Sequence, residues 1–235
     1  MKRNIIRCLL TAATAAVLAS CLPKIDYLYT DTGMCTVLSP TKLQTDNGEI
    51  YFITQNNSGG SISDTVKRVM IQCDVLSAVE GKTNEYNILL QDFAPAMVQH
   101  PVNMSTMDEA VIGNDGLNVS QAWVSGGYLN SYVYITILNP SEADHSINLV
   151  YDDVKSNSDT LYFEMRHNAH GESPENPDIP LNKFVFAGTY LSLPLDGILG
   201  EGQHPVCHLE WDWYDGDDNS FYRDKIRRSG NITVL

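Results

Sequence analysis

The stretch Tyr132-Val133-Tyr134-Ile135-Thr136-Ile137 decides the fold. Its aliphatic and polar-tipped residues alternate one by one, so an extended backbone turns Val133, Ile135 and Ile137 to one face and Tyr132, Tyr134 and Thr136 to the other. Asn139-Pro140-Ser141 then turns the chain, and Ser146 to Tyr151 returns. The same period recurs downstream. Leu161, Phe163 and Met165 oppose Tyr162, Glu164 and Arg166, and Cys207, Leu209, Trp211 and Trp213 share the inward side of a later run. Phe184 to Thr189 and Ser220 to Arg227 add two further strands, with His170 to Pro180 as a Pro/Gly/Asn loop. Antiparallel strands with one apolar side each must bury that side against a second sheet, which predicts a β-sandwich.

Upstream the runs are shorter. Cys35 to Leu38 reads as a strand, and Thr45-Asp46-Asn47-Gly48 as a hairpin turn, because Asn-Gly adopts the positive φ that a tight turn demands. Glu49 to Thr54 returns, Asn56 to Gly60 is a loop, and Val69, Ile71, Cys73 and Val75 share one face of the next strand. Tyr86 to Phe93 closes a unit of the size of an OB-type barrel. The pattern lapses between Gln99 and Ser105, where Pro101 interrupts any ladder. The reading is therefore all-β, with an OB-like barrel over 33–99 followed by an antiparallel β-sandwich over 103–235. Only Ser105 to Ile112 is ambiguous between strand and helix.

The N-terminus is an address. Lys2, Arg3 and Arg7 precede an apolar, small-residue run that ends in Leu18-Ala19-Ser20-Cys21. That run is far shorter than the roughly 20 residues of a membrane span, and it reads as a signal peptide over 1–20 with a lipoprotein cleavage box. Cys21 is the expected lipidation site, placing the protein in the outer membrane on its periplasmic or surface face. Residues 21–32 read as a lipidated tether. With the leader removed, 12 basic residues face 29 acidic ones, a net charge near −17. Such a field repels nucleic acid and anionic membrane surfaces and favours cationic partners.

Cys35, Cys73 and Cys207 remain in the mature chain. A Cys35–Cys73 bridge is one reading; three buried thiols, each within an apolar alternation, is the other. Asp215, Asp217 and Asp218 suggest a calcium loop. Counted from Asp215, however, the sixth and twelfth positions hold Ser220 and Ile226 rather than the glycine and glutamate of an EF-hand. Arg223, Lys225 and Arg227 would share a strand face, as a patch for an anionic partner or as ion-pair partners of Glu210 and Asp212. His167 with His170, and His204 with His208 beside Cys207, have spacings a zinc site uses, but alternation turns Cys207 and His208 to opposite faces. No metal site, cofactor or enzyme motif is indicated: there is no Gly-x-Ser-x-Gly, no His-Glu-x-x-His and no phosphate-cradling glycine loop.

The run Trp123-Val124-Ser125-Gly126-Gly127-Tyr128-Leu129-Asn130 is similar to a motif of the NigD-like lipoproteins. Ile147-Asn148-Leu149-Val150 and the segment Leu161 to His170, with Arg166-His167-Asn168-Ala169 at its centre, are similar as well. The resemblance implies a secreted, lipid-anchored protein built from an N-terminal OB domain and a C-terminal β-sandwich, associated with bacteriocin loci and an immunity-like role. It carries no catalytic residues over. Asp64-Thr65-Val66 and Asp159-Thr160-Leu161 resemble the O-glycosylation acceptor signal of Bacteroides-type bacteria, Thr65 being the better placed beside a loop. The expectation is a non-enzymatic envelope protein that binds a peptide or protein partner. A glycan-binding or scaffold module, with Tyr128, Tyr132 and Tyr134 stacking on sugars, is the alternative.

Overall fold

The structure, a computed structural model, describes residues 27–200, 205–214 and 223–233. Five strands make the barrel: β1 (Tyr29–Ser39), β2 (Lys42–Thr45), β3 (Ile50–Asn56), β4 (Arg68–Ala78) and β5 (Glu85–Val98). β1, β2 and β3 form a meander, β4 pairs with β1 and with β5, and a parallel β3–β5 pairing closes the ring. Cys35, Leu43, Tyr51, Val69, Ile71, Cys73, Val75, Ile88 and Leu90 fill its interior. β1 starts at Tyr29, inside the stretch that reads as tether. Its first residues are polar and give no alternation signal, yet their backbone is drawn into register by β4, with Tyr29 opposite Val75.

The sandwich follows: β6 (Val102–Asn103), a one-turn helix at Glu109–Ile112, β7 (Leu117–Ser125), β8 (Tyr128–Leu138), β9 (Ser146–Tyr151), β10 (Thr160–Asn168), β11 (Phe184–Pro194), β12 (Val206–Tyr214) and β13 (Lys225–Thr233). One layer is β13-β12-β10-β9-β6. The other continues from the barrel. The end of β5 pairs in parallel with β11, and β11 with β8 and then β7, so one eight-stranded sheet runs through both halves. Leu117, Leu129, Val133 and Ile135 of one layer pack on Leu149, Leu161, Phe163, Met165 and Leu209 of the other. The layers are not purely antiparallel: β10 and β12 run parallel, because the chain crosses to β11 in the opposite sheet between them.

A buried ion pair joins the halves. Arg68 opens β4 and is only 1% exposed. Its guanidinium grips both carboxylate oxygens of Asp46, at 2.6 and 2.9 Å, and also donates to Thr36 Oγ1 and Ser192 Oγ at 3.0 and 2.9 Å. Asp46 lies in the barrel's Asn-Gly turn, and its Oδ2 also accepts from Ser125 Oγ at 2.5 Å. Asn130 donates to Ser125 and accepts from Ser192, and the Tyr128 ring lies 4.2 Å from the guanidinium carbon. Ser125, Tyr128 and Asn130 thus all serve this junction. Gly126 and Gly127 turn the β7–β8 hairpin at φ 59° and 81°, and a Cβ on Gly126 would stand 2.6 Å from the Asp46 carboxylate. Glycine there meets both the turn and the approach.

Removing one member of this pair leaves the other buried and uncompensated. Arg68→Ala and Asp46→Ala should each lower unfolding free energy by about 3–5 kcal/mol. The double variant should lose less than the sum of the two, as measured by urea denaturation.

Candidate functional site

The face of the large sheet turned away from the sandwich core is aromatic. Register places Tyr190 opposite Tyr132, Gly188 opposite Tyr134 and Phe186 opposite Thr136, so these side chains share one face of β8 and β11. Tyr132 packs edge-on to Tyr134 with ring centroids 5.0 Å apart, and lies 4.6 Å from Tyr190. A side chain at Gly188 would run into the Tyr132 hydroxyl, so the strand leaves a gap there that the tyrosines fill. Burial, and then the neighbouring tyrosines, raise the Tyr132 phenol above its ordinary value. Beside these rings opens a cleft of about 370 Å³ lined by Asn118, Ser120, Tyr134, Phe186 and Trp213. Asn118 faces Tyr134 across the β7–β8 pairing. Trp213, expected in the sandwich core, is buried instead against Phe186 at 5.9 Å and Tyr214 at 5.4 Å. The cleft offers stacking surfaces with one amide and two hydroxyls to orient a ligand.

The residues singled out from the sequence lie elsewhere. Thr65 sits exposed in the turn before β4, with its Oγ1 2.9 Å from Ser63 Oγ. Arg223, Lys225 and Arg227 do not form one free patch. Arg223 donates to the carbonyls of Pro174, Asn176 and Ile179, tying down the loop after β10. Lys225 meets Glu175 at 3.0 Å and the carbonyl of Asn114. Arg227 pairs with Glu210 at 2.8 Å, Asp212 at 3.3 Å and Glu164 at 2.5 Å, the cross-strand pairing that alternation suggests, extended to a third strand. The strand that carries it is Lys225–Thr233, later than the expected Ser220 to Arg227. Cys35, Cys73 and Cys207 are free and buried, and burial pushes the thiols of Cys73 and Cys207 up to about 12 and 11. Cys21, Asp215, Asp217 and Asp218 lie outside the described residues.

The family description NigD-like C-terminal beta sandwich domain matches residues 100–217, half of the chain. The chain belongs to the NigD-like family. Solved structures share its fold. A protein of unknown function from Bacteroides vulgatus is 22% identical, with a TM-score of 0.61 over 86% of this chain and 90% of that one. A NigD-like immunity protein from Bacteroides caccae is 22% identical, with a TM-score of 0.60 over 86% and 94%. A putative lipoprotein from Bacteroides fragilis is 14% identical, with a TM-score of 0.59 over 88% and 98%. No curated protein matches the chain.

The third NigD-like segment, with Arg166-His167-Asn168-Ala169 at its centre, is also structural. Asn168 Nδ2 donates to the carbonyls of Ala110 and Val111 at 3.2 and 3.0 Å, holding the open end of the one-turn helix. The Ala169 amide donates to Asp115 Oδ2 at 2.7 Å. His167 is fully buried, with Nδ1 3.2 Å from the Gly116 carbonyl and Nε2 2.9 Å from His145 Nδ1. A carbonyl only accepts, so Nδ1 carries the proton and Nε2 receives one from His145. His145 Nε2 in turn stands 3.3 Å from Glu172. Hydrogen bonds from Ser141, the Glu142 amide and His145 hold the Glu172 carboxyl down at about 2. Among the described residues, no three His, Cys, Asp or Glu side chains are grouped as a metal ion would need.

Burial, and then the neighbouring His145, lower His167 to about 4 from 6.5. The folded state therefore keeps His167 neutral where the unfolded chain takes up a proton, and stability rises with pH across that interval. Acidification from pH 6.5 to pH 4 should cost about 3 kcal/mol from this residue alone. Urea midpoints recorded across that interval should flatten in His167→Gln.

Proposed function

We propose that the protein is a non-catalytic, lipid-anchored protein of the outer membrane that holds a peptide or protein partner at the aromatic cleft. The observation that carries this reading is the composition of the cleft wall: among the described residues it presents three rings, one amide and two hydroxyls, with no carboxylate, imidazole or thiol. Aromatic residues dominate binding surfaces because they present rigid area with little side-chain entropy to lose. The histidine chain of His145 and His167 has each end fixed on a structural partner, Glu172 at one and the Gly116 carbonyl at the other. The lipoprotein box at Cys21 supports the anchor, in line with the Bacteroides fragilis relative described as a putative lipoprotein. The Bacteroides caccae relative described as an immunity protein supports a protective role toward a bacteriocin. The acidic surface would attract a cationic one at long range.

A second reading rests on the tyrosines beyond the cleft. Tyr132, Tyr134 and Tyr190 form a continuous ring surface on which sugar rings could stack, so the same face suits an envelope glycan.

Combining Tyr134→Ala with Phe186→Ala should leave the far-ultraviolet spectrum unchanged and weaken the ligand by about tenfold or more. Capture of a peptide or protein from isolated membranes supports the first reading, and a sharp hit on a glycan array the second. Wild-type chain should incorporate labelled palmitate and Cys21→Ser should not. An unlabelled wild-type product overturns the anchor.

A further inference from the structure

The barrel has an open strand edge. β4 pairs with β1 from Tyr29 to Thr36, but β2 pairs with it only from Cys35 to Ser39. Tyr29–Met34 therefore overhang β2 by about 20 Å of strand. The direction of their backbone groups follows from the ladder. Val37 N donates to Lys67 O on the β4 side, so odd-numbered residues bond toward β4, and Thr30, Thr32 and Met34 turn their amides and carbonyls the other way. No strand pairs with that edge among the described residues. It borders a groove of about 230 Å³ lined by Asp31–Cys35 and Thr45–Asn47, with Trp123 and Ser125 of β7 as the far wall. Tyr27 and Leu28, at the mouth of the strand, are 54% and 61% exposed.

The groove is also short of positive charge. Tyr51 Oη lies 2.7 Å from Asp31 Oδ2 and 3.1 Å from Glu49 Oε2. A phenol has one proton and satisfies one of these carboxylates, leaving the other unmatched. On the opposite face of the same ladder Asp74 accepts from Thr30 Oγ1 at 3.0 Å. The groove's nearest arginine, Arg68, is buried and already held by Asp46.

We propose that this edge receives an extended, lysine- or arginine-bearing peptide as an added strand, lying collinear with β2 and antiparallel to β1. Backbone hydrogen bonds to the exposed Thr30 and Thr32 would hold it, Met34 being buried, and alternate basic side chains would reach Asp31 and Glu49. Thr32 N is presently capped by Asp31 Oδ1 at 2.8 Å and would exchange that acceptor for the peptide. A second copy of the chain fits poorly, since it would set acidic residues against acidic residues, and an anionic membrane is repelled for the same reason. The proposal extends the reading of the protein as a peptide binder to a surface separate from the aromatic cleft.

The test is calorimetric titration of the mature chain with a short synthetic peptide alternating lysine and valine. Two N-methylated versions, each blocked along one backbone edge, accompany it. One blocked version should lose about tenfold or more in affinity while the other binds like the parent. A glutamate-for-lysine version should not bind, and Asp31→Asn should weaken the parent peptide. Equal binding of both blocked versions, no binding of the parent, self-association through this edge, or preferential binding to anionic vesicles overturns the proposal. Phe186→Ala separates the two surfaces: it should leave this peptide's affinity unchanged, and loss of affinity would place the peptide at the cleft instead.

Discussion

The molecule depends on a charge that water never reaches. Arg68 is a barrel residue by sequence, but its guanidinium is completed by partners from both halves: Asp46 and Thr36 from the barrel, Ser192 and Asn130 from the sandwich. An ion pair so deeply buried contributes little net stability when whole and costs several kcal/mol when broken. Its effect is therefore on geometry. It allows one relative placement of the β2–β3 turn and the β7–β8 hairpin, because only that placement satisfies every donor of the guanidinium.

That placement determines what the outer surfaces can be. With the end of β5 pairing to β11, the barrel and one sandwich layer share a single sheet, and the tyrosine face of β8 and β11 continues from the row that holds Asn130 and Ser192. The same hairpin brings Trp123 and Ser125 over the overhanging part of β1, so the wall of the groove belongs to one half and its edge to the other. Both candidate binding surfaces thus lie on elements whose positions follow from the junction. A shift there would move the cleft's β7 wall and open the groove together.

Period-two alternation made the sandwich strands legible, since Val133, Ile135, Leu161, Phe163 and Leu209 face the core as read. It also marked Tyr132 and Tyr134 as facing away from it. Alternation carries no information about which strands pair, so the shared sheet, the parallel β10–β12 pair and the early start of β1 were not readable. Nor does alternation reveal that Arg68 is buried, because its partner lies 22 residues back in a turn and other ligands come from the far half of the chain. Phe186 and Asn118 gave no signal of their own. The one hint was Gly188, a glycine inside a β-strand pattern, which marks a close approach. The NigD-like motifs Trp123 to Asn130 and Arg166 to Ala169 carried the family resemblance, and their polar atoms are occupied in holding the two halves together and capping a helix.

The same economy of polar groups explains why the surface is more acidic in effect than net charge alone conveys. Arg68 is interior, Arg223 is bound to three carbonyls, and Arg227 is shared among Glu164, Glu210 and Asp212, while Lys225 meets Glu175. These cations are bound close to fixed partners and screen little beyond them. Asp31 and Glu49 share the Tyr51 hydroxyl and Asp74 accepts from Thr30 and Gln91, so among the described residues none of the three is paired with a cation. An unscreened field of this kind raises the encounter rate with a cation but adds little to residence time. Residence must come from what lies beneath the field, and there the chain offers two unlike surfaces, rings at the cleft and unpaired backbone at the edge. A partner that uses both charge and one of these is retained; one that uses charge alone is released as salt rises.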